Sequence, residues 1–431
     1  MVAQGRAVEF DSAMAGLVRA PSAGGVIVGS RYTLAVLAGL TAVAHGHGYV
    51  LAVLAPEIAG ALGAGATALA WVMFVRVAAL LAGAGVASVA RPGLLAVIGA
   101  AAWTGASLLG AAGAGVWVVV VAAALYGAGS STVLTAHGPL LRDAYGAGSA
   151  AMEQHRNAGR IGNVAVAALP GLVFGLTGSW RAAFIAAGVV AVPWLVAALP
   201  LAARRTGRAG VGDPALTAVT ALPGGRPLVR AMAVLAVVEI PMYPYLFVVL
   251  HQRWGVGAPG RGVLAALLEA ISVVVSVLLI RRHRQVLAVA PERLLARLAA
   301  ALVVGAAAVV AVVSAPHLGV ALAGLVLMGA VLTPVIPLLW LGPVAILGLE
   351  PRRRRRELAG VLIAGAAVLV VAGAAERMAG PAASLIVLVP VLLAPAAAAV
   401  QLGSTVSSDR RSSAGSGDSV RASESSRIAS A

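Results

Sequence analysis

Hydrophobic residues in this chain come in long runs broken by short polar stretches. Scanned with a window of about 19 residues, the runs give twelve segments long enough to cross a bilayer. In the first half they lie near Tyr32–Ala55, Ala68–Ala90, Gly93–Ala112, Gly115–His137, Arg160–Gly178 and Ala182–Ala202. In the second half they lie near Val229–Leu250, Gly262–Ile280, Leu295–Ala315, Leu318–Leu347, Leu358–Ala375 and Gly380–Gln401. Between the halves, Ala203 to Arg230 is the longest interior stretch a bilayer would reject. The pattern predicts an N-terminal arm (1–31), a six-helix bundle (32–202), a Gly/Pro-rich basic linker (203–228), a second six-helix bundle (229–401) and a tail (402–431). The tail is Ser, Gly, Arg and Asp with almost no large apolar residue, a composition that stays solvated and disordered.

Charge orients these spans. The net charge of +16 comes from Arg alone, since the 431 residues include no Lys. With twelve spans, 26 Arg fall on the side of the termini and linker and 4 (Arg181, Arg253, Arg261, Arg377) on the other, with Arg76 inside a span. The positive-inside rule then makes both termini and the linker cytoplasmic, in a cell or plasma membrane. Losing or gaining one span would mix Arg-rich with Arg-poor loops, so the asymmetry also supports the count. Hydrophobic residues make up 61% of the chain and charged ones 11%, far from a soluble domain. Scattered between apolar spans, the Arg residues suit anionic lipid headgroups of the inner leaflet and not nucleic acid. The run Arg352 to Arg356, for example, reads as a stop-transfer and lipid-contact feature. With no Cys, disulfides, Cys-ligated metals and thiol nucleophiles are excluded. The N-terminal residues, with Glu9 and Asp11 and no compact apolar core before a small-residue cleavage site, do not read as a signal peptide.

Three stretches carry a resemblance. GLTGSWRAAFIAA (Gly175–Ala187), VLAPEIAGALGAGATALAWV (Val53–Val72) and PRRRRRELAGVL (Pro351–Leu362) are similar, in order and spacing, to the sixth-helix opening, the first-to-second helix turn and the eleventh-helix start of the major facilitator superfamily. The resemblance covers about Tyr32 to Gln401 and implies an all-α polytopic membrane protein, with twelve transmembrane helices in two pseudo-symmetric six-helix bundles. It also implies that the first, fourth, seventh and tenth helices line a cavity. One departure stands out: GAGVASVARPG (Gly83–Gly93) lacks the family's Asp and its Arg cluster beyond Arg91, which removes a typical cytoplasmic gating ion pair.

A charge near the bilayer centre costs about 2.5 to 3.5 kcal/mol on insertion scales, so each one needs a reason. Glu239 lies near the middle of the seventh span, followed by Pro241 and Pro244, which are expected to kink or break the helix. It is either a proton or cation site, or a carboxylate neutralised by protonation or by a neighbouring donor. Glu269, in the eighth span, is a second candidate or the structural partner of Arg76 or Arg261. Arg76, in the second span, is a candidate for substrate or ion-pair contact. His45 and His47 point about 200° apart on a continuous helix, so they cannot chelate one metal and at most one faces the cavity. His47, nine residues before Pro56, is the better candidate, because many drug antiporters of the resembled superfamily carry an acid near there. His137, His155, His251, His283 and His317 read as solvated residues at span ends or in loops. Tyr126, Tyr243, Tyr245 and Trp340 are possible substrate-facing aromatics, with packing the alternative, and Pro334 and Pro337 in the tenth span are hinge candidates beside Pro241 and Pro244.

There is no phosphate-binding loop, dinucleotide fingerprint, His-Glu-x-x-His motif or nucleophile elbow. The expected function is therefore not enzymatic and needs no cofactor or metal. It is secondary active transport of a small organic molecule, expected to be a proton-coupled export by alternating access with the monomer as the functional unit. A proton-coupled uptake symporter is the nearest alternative, and a non-transporting sensor or scaffold a more distant one.

Overall fold

The computed structural model describes residues 30–87, 91–146, 150–203, 225–289, 291–332 and 341–405, and among these there are helices and connecting turns but no strand. The first span is made of α1 (Ser30–Val43), α2 (Gly46–Val53) and α3 (Ala55–Leu62). Then come α4 (Ala66–Ala87), α5 (Pro92–Ala112), α6 (Val116–Tyr145), α7 (Ala150–Thr177) and α8 (Trp180–Ala202). In the second half, α9 (Gly225–Trp254), α10 (Ala258–Val289), α11 (Pro291–Ser314), α12 (Leu318–Leu332) and α13 (Leu341–Leu347) precede α14 (Pro351–Ala379) and α15 (Pro381–Ile386), and a helical stretch over 388–405 ends the described chain.

Eleven of these helical segments are long and apolar enough to cross a membrane, and α12 is a shorter apolar helix in the place of the tenth span. The molecule is a multi-pass membrane protein. Its outer surface carries Trp117, Leu176, Ile363 and Met378, each at least 70% exposed, as expected where lipid and not water covers the side chains. Helix boundaries follow local chemistry. Pro stands in the first turn of α3, α5, α14 and α15, where its missing N–H costs nothing. The Gly-Ser-Trp-Arg turn shows a glycine and a cap acting together: Gly178 takes φ 66° to close α7 and Ser179 Oγ accepts from Ala182 N at 3.4 Å. Arg181 then stacks over the Trp180 ring at 4.4 Å and donates to Gly113 O at 3.1 Å.

Two expectations meet a different backbone. The seventh span is not broken at its prolines, because α9 runs through Pro241 and Pro244 as one helix of 30 residues. The first span, expected as one helix, is interrupted at Ala44 and His45. Gly46 and Gly48 follow that turn, and the Tyr126 hydroxyl supplies the carbonyls freed there, donating toward Val43 O at 3.3 Å and Ala44 O at 3.2 Å. Pro334, Pro337 and Trp340 lie outside the described residues, as do 1–29, 204–224 and 406–431.

The halves meet in two main contacts, α7 against α10 and α4 against α9 and α14, and one hydrophobic cluster runs through both halves. The α7–α10 contact is backbone to backbone: a Cβ on Gly171 would lie 2.4 Å from Ala258 O. Only glycine fits there.

Candidate functional site

Four polar side chains meet at mid-height between the halves. On α9, Tyr243 Oη donates to Glu239 Oε1 at 3.0 Å, one helical turn away. From the other half, Tyr49 on α2 donates to Glu269 Oε1 on α10 at 2.5 Å. The two carboxyls lie within electrostatic reach of each other and of Tyr243. All four residues are half-buried, so they remain accessible although they sit among apolar helices. The arrangement can hold one or two protons on carboxyls whose hydrogen-bond partners are themselves titratable, and each pair can exchange a proton with water entering the space.

The facing wall belongs to the first half. Arg76 on α4 is 5% exposed and lies against Gly48, where an added Cβ would fall 2.2 Å from Nη1. That glycine is what admits the guanidinium beside the first span. Arg76 Cζ is 5.3 Å from the centroid of the Tyr126 ring, and the group is within electrostatic reach of Tyr49, His45 and His47. Its Nε has no hydrogen-bond partner among the described residues, and no carboxylate there pairs with it.

The first-span break reassigns the histidines. His45 is exposed at the turn, with Nδ1 3.1 Å from Asn163 Oδ1. His47 is fully buried, stacked on Tyr126 with centroids 4.6 Å apart and 5.0 Å from Phe184, and neither ring nitrogen has a partner among the described residues. Tyr126 is 2% exposed, stacked also on Trp103, and its hydroxyl is spent on the first-span carbonyls. It is packed into the wall that holds Arg76 and is not exposed to a ligand. Tyr245 is fully buried, and its hydroxyl lies 2.8 Å from Thr67 Oγ1. Glu269 pairs with neither Arg76 nor Arg261. His137 and His155, read from sequence as solvated, are both buried: α6 and α7 extend past the expected span ends, bringing the rings to 4.6 Å and placing Thr41 Oγ1 2.7 Å from His155 Nε2. Pro241 and Pro244 are buried in α9 beside the Glu239 carboxyl.

At one end of the site the halves are tied together by Arg261, read from sequence only as a possible partner of Glu269, and by Glu57 and Glu376, which the sequence did not single out. Arg261, fully buried, donates to both Glu57 carboxylate oxygens at 2.5 Å, to Val53 O at 2.8 Å and to Val256 O at 2.7 Å. Glu376 accepts from Ala66 N at 3.1 Å, Thr67 N at 2.9 Å and the Thr67 hydroxyl, capping the N-terminus of α4 with a carboxylate from α14. The available signal was the scarcity of Arg on that side, with Arg261 one of four and two glutamates near span ends. A second ion pair lies within the second half, where Arg230 donates to Glu357 at 2.6 and 2.8 Å. Among the described residues no cluster of three or more His, Cys, Asp or Glu could hold a metal ion.

No protein-family model matches the chain, and no curated relative does. Solved structures do match. A bacterial homologue of the human lysosomal transporter Spinster, inward-facing and unoccupied, is 16% identical with a TM-score of 0.65, covering 88% of this chain and 98% of that one. A peptide transporter in complex with sulfate is 13% identical with a TM-score of 0.63, covering 88% and 94%. A D-xylose–proton symporter is 15% identical with a TM-score of 0.60, covering 84% and 96%. At such identities the likeness is one of fold, and the fold is that of the major facilitator superfamily.

Proposed function

We propose that this chain, which has the major facilitator fold, is a gradient-driven secondary transporter that exports a small organic molecule in exchange for protons. The observation that carries the reading is the Glu239–Tyr243 and Glu269–Tyr49 cluster: titratable groups at mid-height, half accessible, and contributed by both halves. Carboxyls placed at a moving interface can be presented to water on one side and then the other, which is what coupling to a proton gradient requires. The ties at Arg261 and Glu376 support it further, because they close one end by bonds that separate cleanly when the halves rock apart. The structural neighbours named for proton symport and peptide transport support the class. The monomer is the unit, since both halves of the site come from one chain. Loose inner-leaflet contacts with anionic lipid are supplied by the exposed Arg352, Arg355 and Arg356.

The reading is tested by reconstituting the protein in liposomes and screening a compound panel with and without an imposed pH gradient. At least one compound should accumulate only with the gradient. A panel that equilibrates identically in both conditions, or never crosses, removes the proposal.

The proposed orientation in the plasma membrane, with linker and tail cytoplasmic, has its own check. The chain has no Cys, so single cysteines at Gly212→Cys and Ser407→Cys need no background correction. Both should stay unlabelled by an impermeant thiol reagent in intact cells and label fully once the cells are opened. Labelling from outside would invert the topology.

A further inference from the structure

We propose that Arg76 is the anchor for the carboxylate of a small organic anion, which makes organic monoanions the substrate class of this cavity; the inference rests on the transporter reading above. The two arginines buried among the described residues differ in how they are held. Arg261 is held as a structural arginine is held, with Nε, Nη1 and Nη2 all donating, to two carbonyls and a carboxylate. Arg76 is 5% exposed and has none of this: its Nε is unpartnered among the described residues, and its Cζ stands 5.3 Å from the centroid of the Tyr126 ring.

A desolvated guanidinium without a counter-charge is costly. A protein keeps one where a ligand supplies the missing anion. The planar fork of Arg fits a carboxylate with two parallel N–H···O bonds, which Lys cannot reproduce.

The surroundings sort the ligand by charge. The neighbouring polar groups in the first half are His45, whose Nδ1 lies 3.1 Å from Asn163 Oδ1, and His47, whose ring nitrogens are both buried and unpartnered among the described residues and one of which can donate to an anion. Of the carboxyls nearby, Glu239 accepts from Tyr243 on its own helix and Glu269 from Tyr49 of the first half, and neither pairs with Arg76. Gly48 gives the fork its place beside the first span, since a Cβ there would fall 2.2 Å from Nη1. A cationic substrate at the fork would meet the charge of Arg76, with which no carboxylate among the described residues is paired.

The test uses the purified full chain and reads thermal stabilisation by acetate, lactate, benzoate and indole-3-acetate, each beside its own amide. At least one acid should raise the unfolding temperature while its amide does not. In Arg76→Gln the apparent affinity for that acid should fall about tenfold to a hundredfold, the range for a lost charged hydrogen bond, and Arg76→Lys should recover part of it. Should Arg76→Gln fail to fold, Gly48→Ala serves, because it displaces the guanidinium without removing its charge; the same loss is expected. Protection by amides equal to that by acids, undiminished protection of the variants, or no protection by any acid would each overturn the assignment. The two readings can fail separately. If pH-driven transport of cationic compounds persists while the acids are inert, the transporter stands and the anion site falls. If the acids bind but nothing is ever carried across, the reverse holds.

Discussion

Glu239→Gln is expected to abolish accumulation driven by a pH gradient while leaving the protein folded and able to equilibrate its substrate. Glutamine keeps the size of the side chain and can still accept from Tyr243, which donates to Glu239 at 3.0 Å in the parent, but it cannot take up and release a proton. One pH unit corresponds to about 1.4 kcal/mol, a tenfold concentration ratio at one-to-one coupling. In matched liposomes the parent should therefore approach a tenfold gradient and the variant stay near one. Glu269→Gln supplies the comparison, because its carboxyl is tied to Tyr49 across the interface. If Glu239→Gln concentrates substrate as the parent does and Glu269→Gln does not, coupling belongs to the second carboxyl. If neither variant loses accumulation, the proton is carried by another group, and the two-carboxyl cluster is not the coupling site.

Arg261→Ala should release the closed end. The substitution removes every bond the side chain makes to Glu57, Val53 and Val256. Losing one partner of a buried pair costs about 3 to 5 kcal/mol, but Glu57 keeps 18% of its side-chain surface exposed and water can recover part of that. About 2 kcal/mol in favour of the conformation open at this end is the expected net, a shift of roughly thirtyfold in the ratio of the two states. Asn163→Cys, partly accessible beside His45, reports it: impermeant reagent should reach it from outside far faster in the Arg261→Ala background. Glu57→Gln, which retains one acceptor oxygen, should produce a smaller shift in the same direction. Unchanged labelling in both, with normal amounts in the membrane, would show that the ion pair does not hold the end closed.

What the sequence disclosed divides along physical lines. The apolar spans were legible because a bilayer forces backbone groups to bond internally over about 20 residues, and few other constraints leave so long a trace. Glu239 and Glu269 were legible because a carboxyl inside such a run is expensive. The Trp180–Arg181 turn could be read because a cap, a positive-φ glycine and a stacked cation are local. The partners were not legible. Tyr49 meets Glu269, and Glu57 meets Arg261, across more than two hundred residues, and no local pattern marks one tyrosine or glutamate among several. The break at Ala44 and His45 was hidden for a different reason. In a chain with 52 glycines, Gly46 and Gly48 carry no signal of their own, and the tyrosine that stabilises the break lies on α6. His137 and His155 were misread because their helices extend beyond the apolar windows used to place them, and a polar residue near a span end looks solvated until its neighbour is known.

The central claim is that the halves move as bodies around the carboxyl cluster, and distances between spin labels measure it most directly. One pair, Ala61→Cys with Gln252→Cys, spans the closed end; the other, Leu94→Cys with Arg355→Cys, spans the opposite end, and all four positions are exposed. The account predicts two distances for each pair, with populations that move in opposite senses when pH or substrate is changed: the first pair lengthens as the second shortens. A single unchanging distance at both ends across all conditions would contradict it.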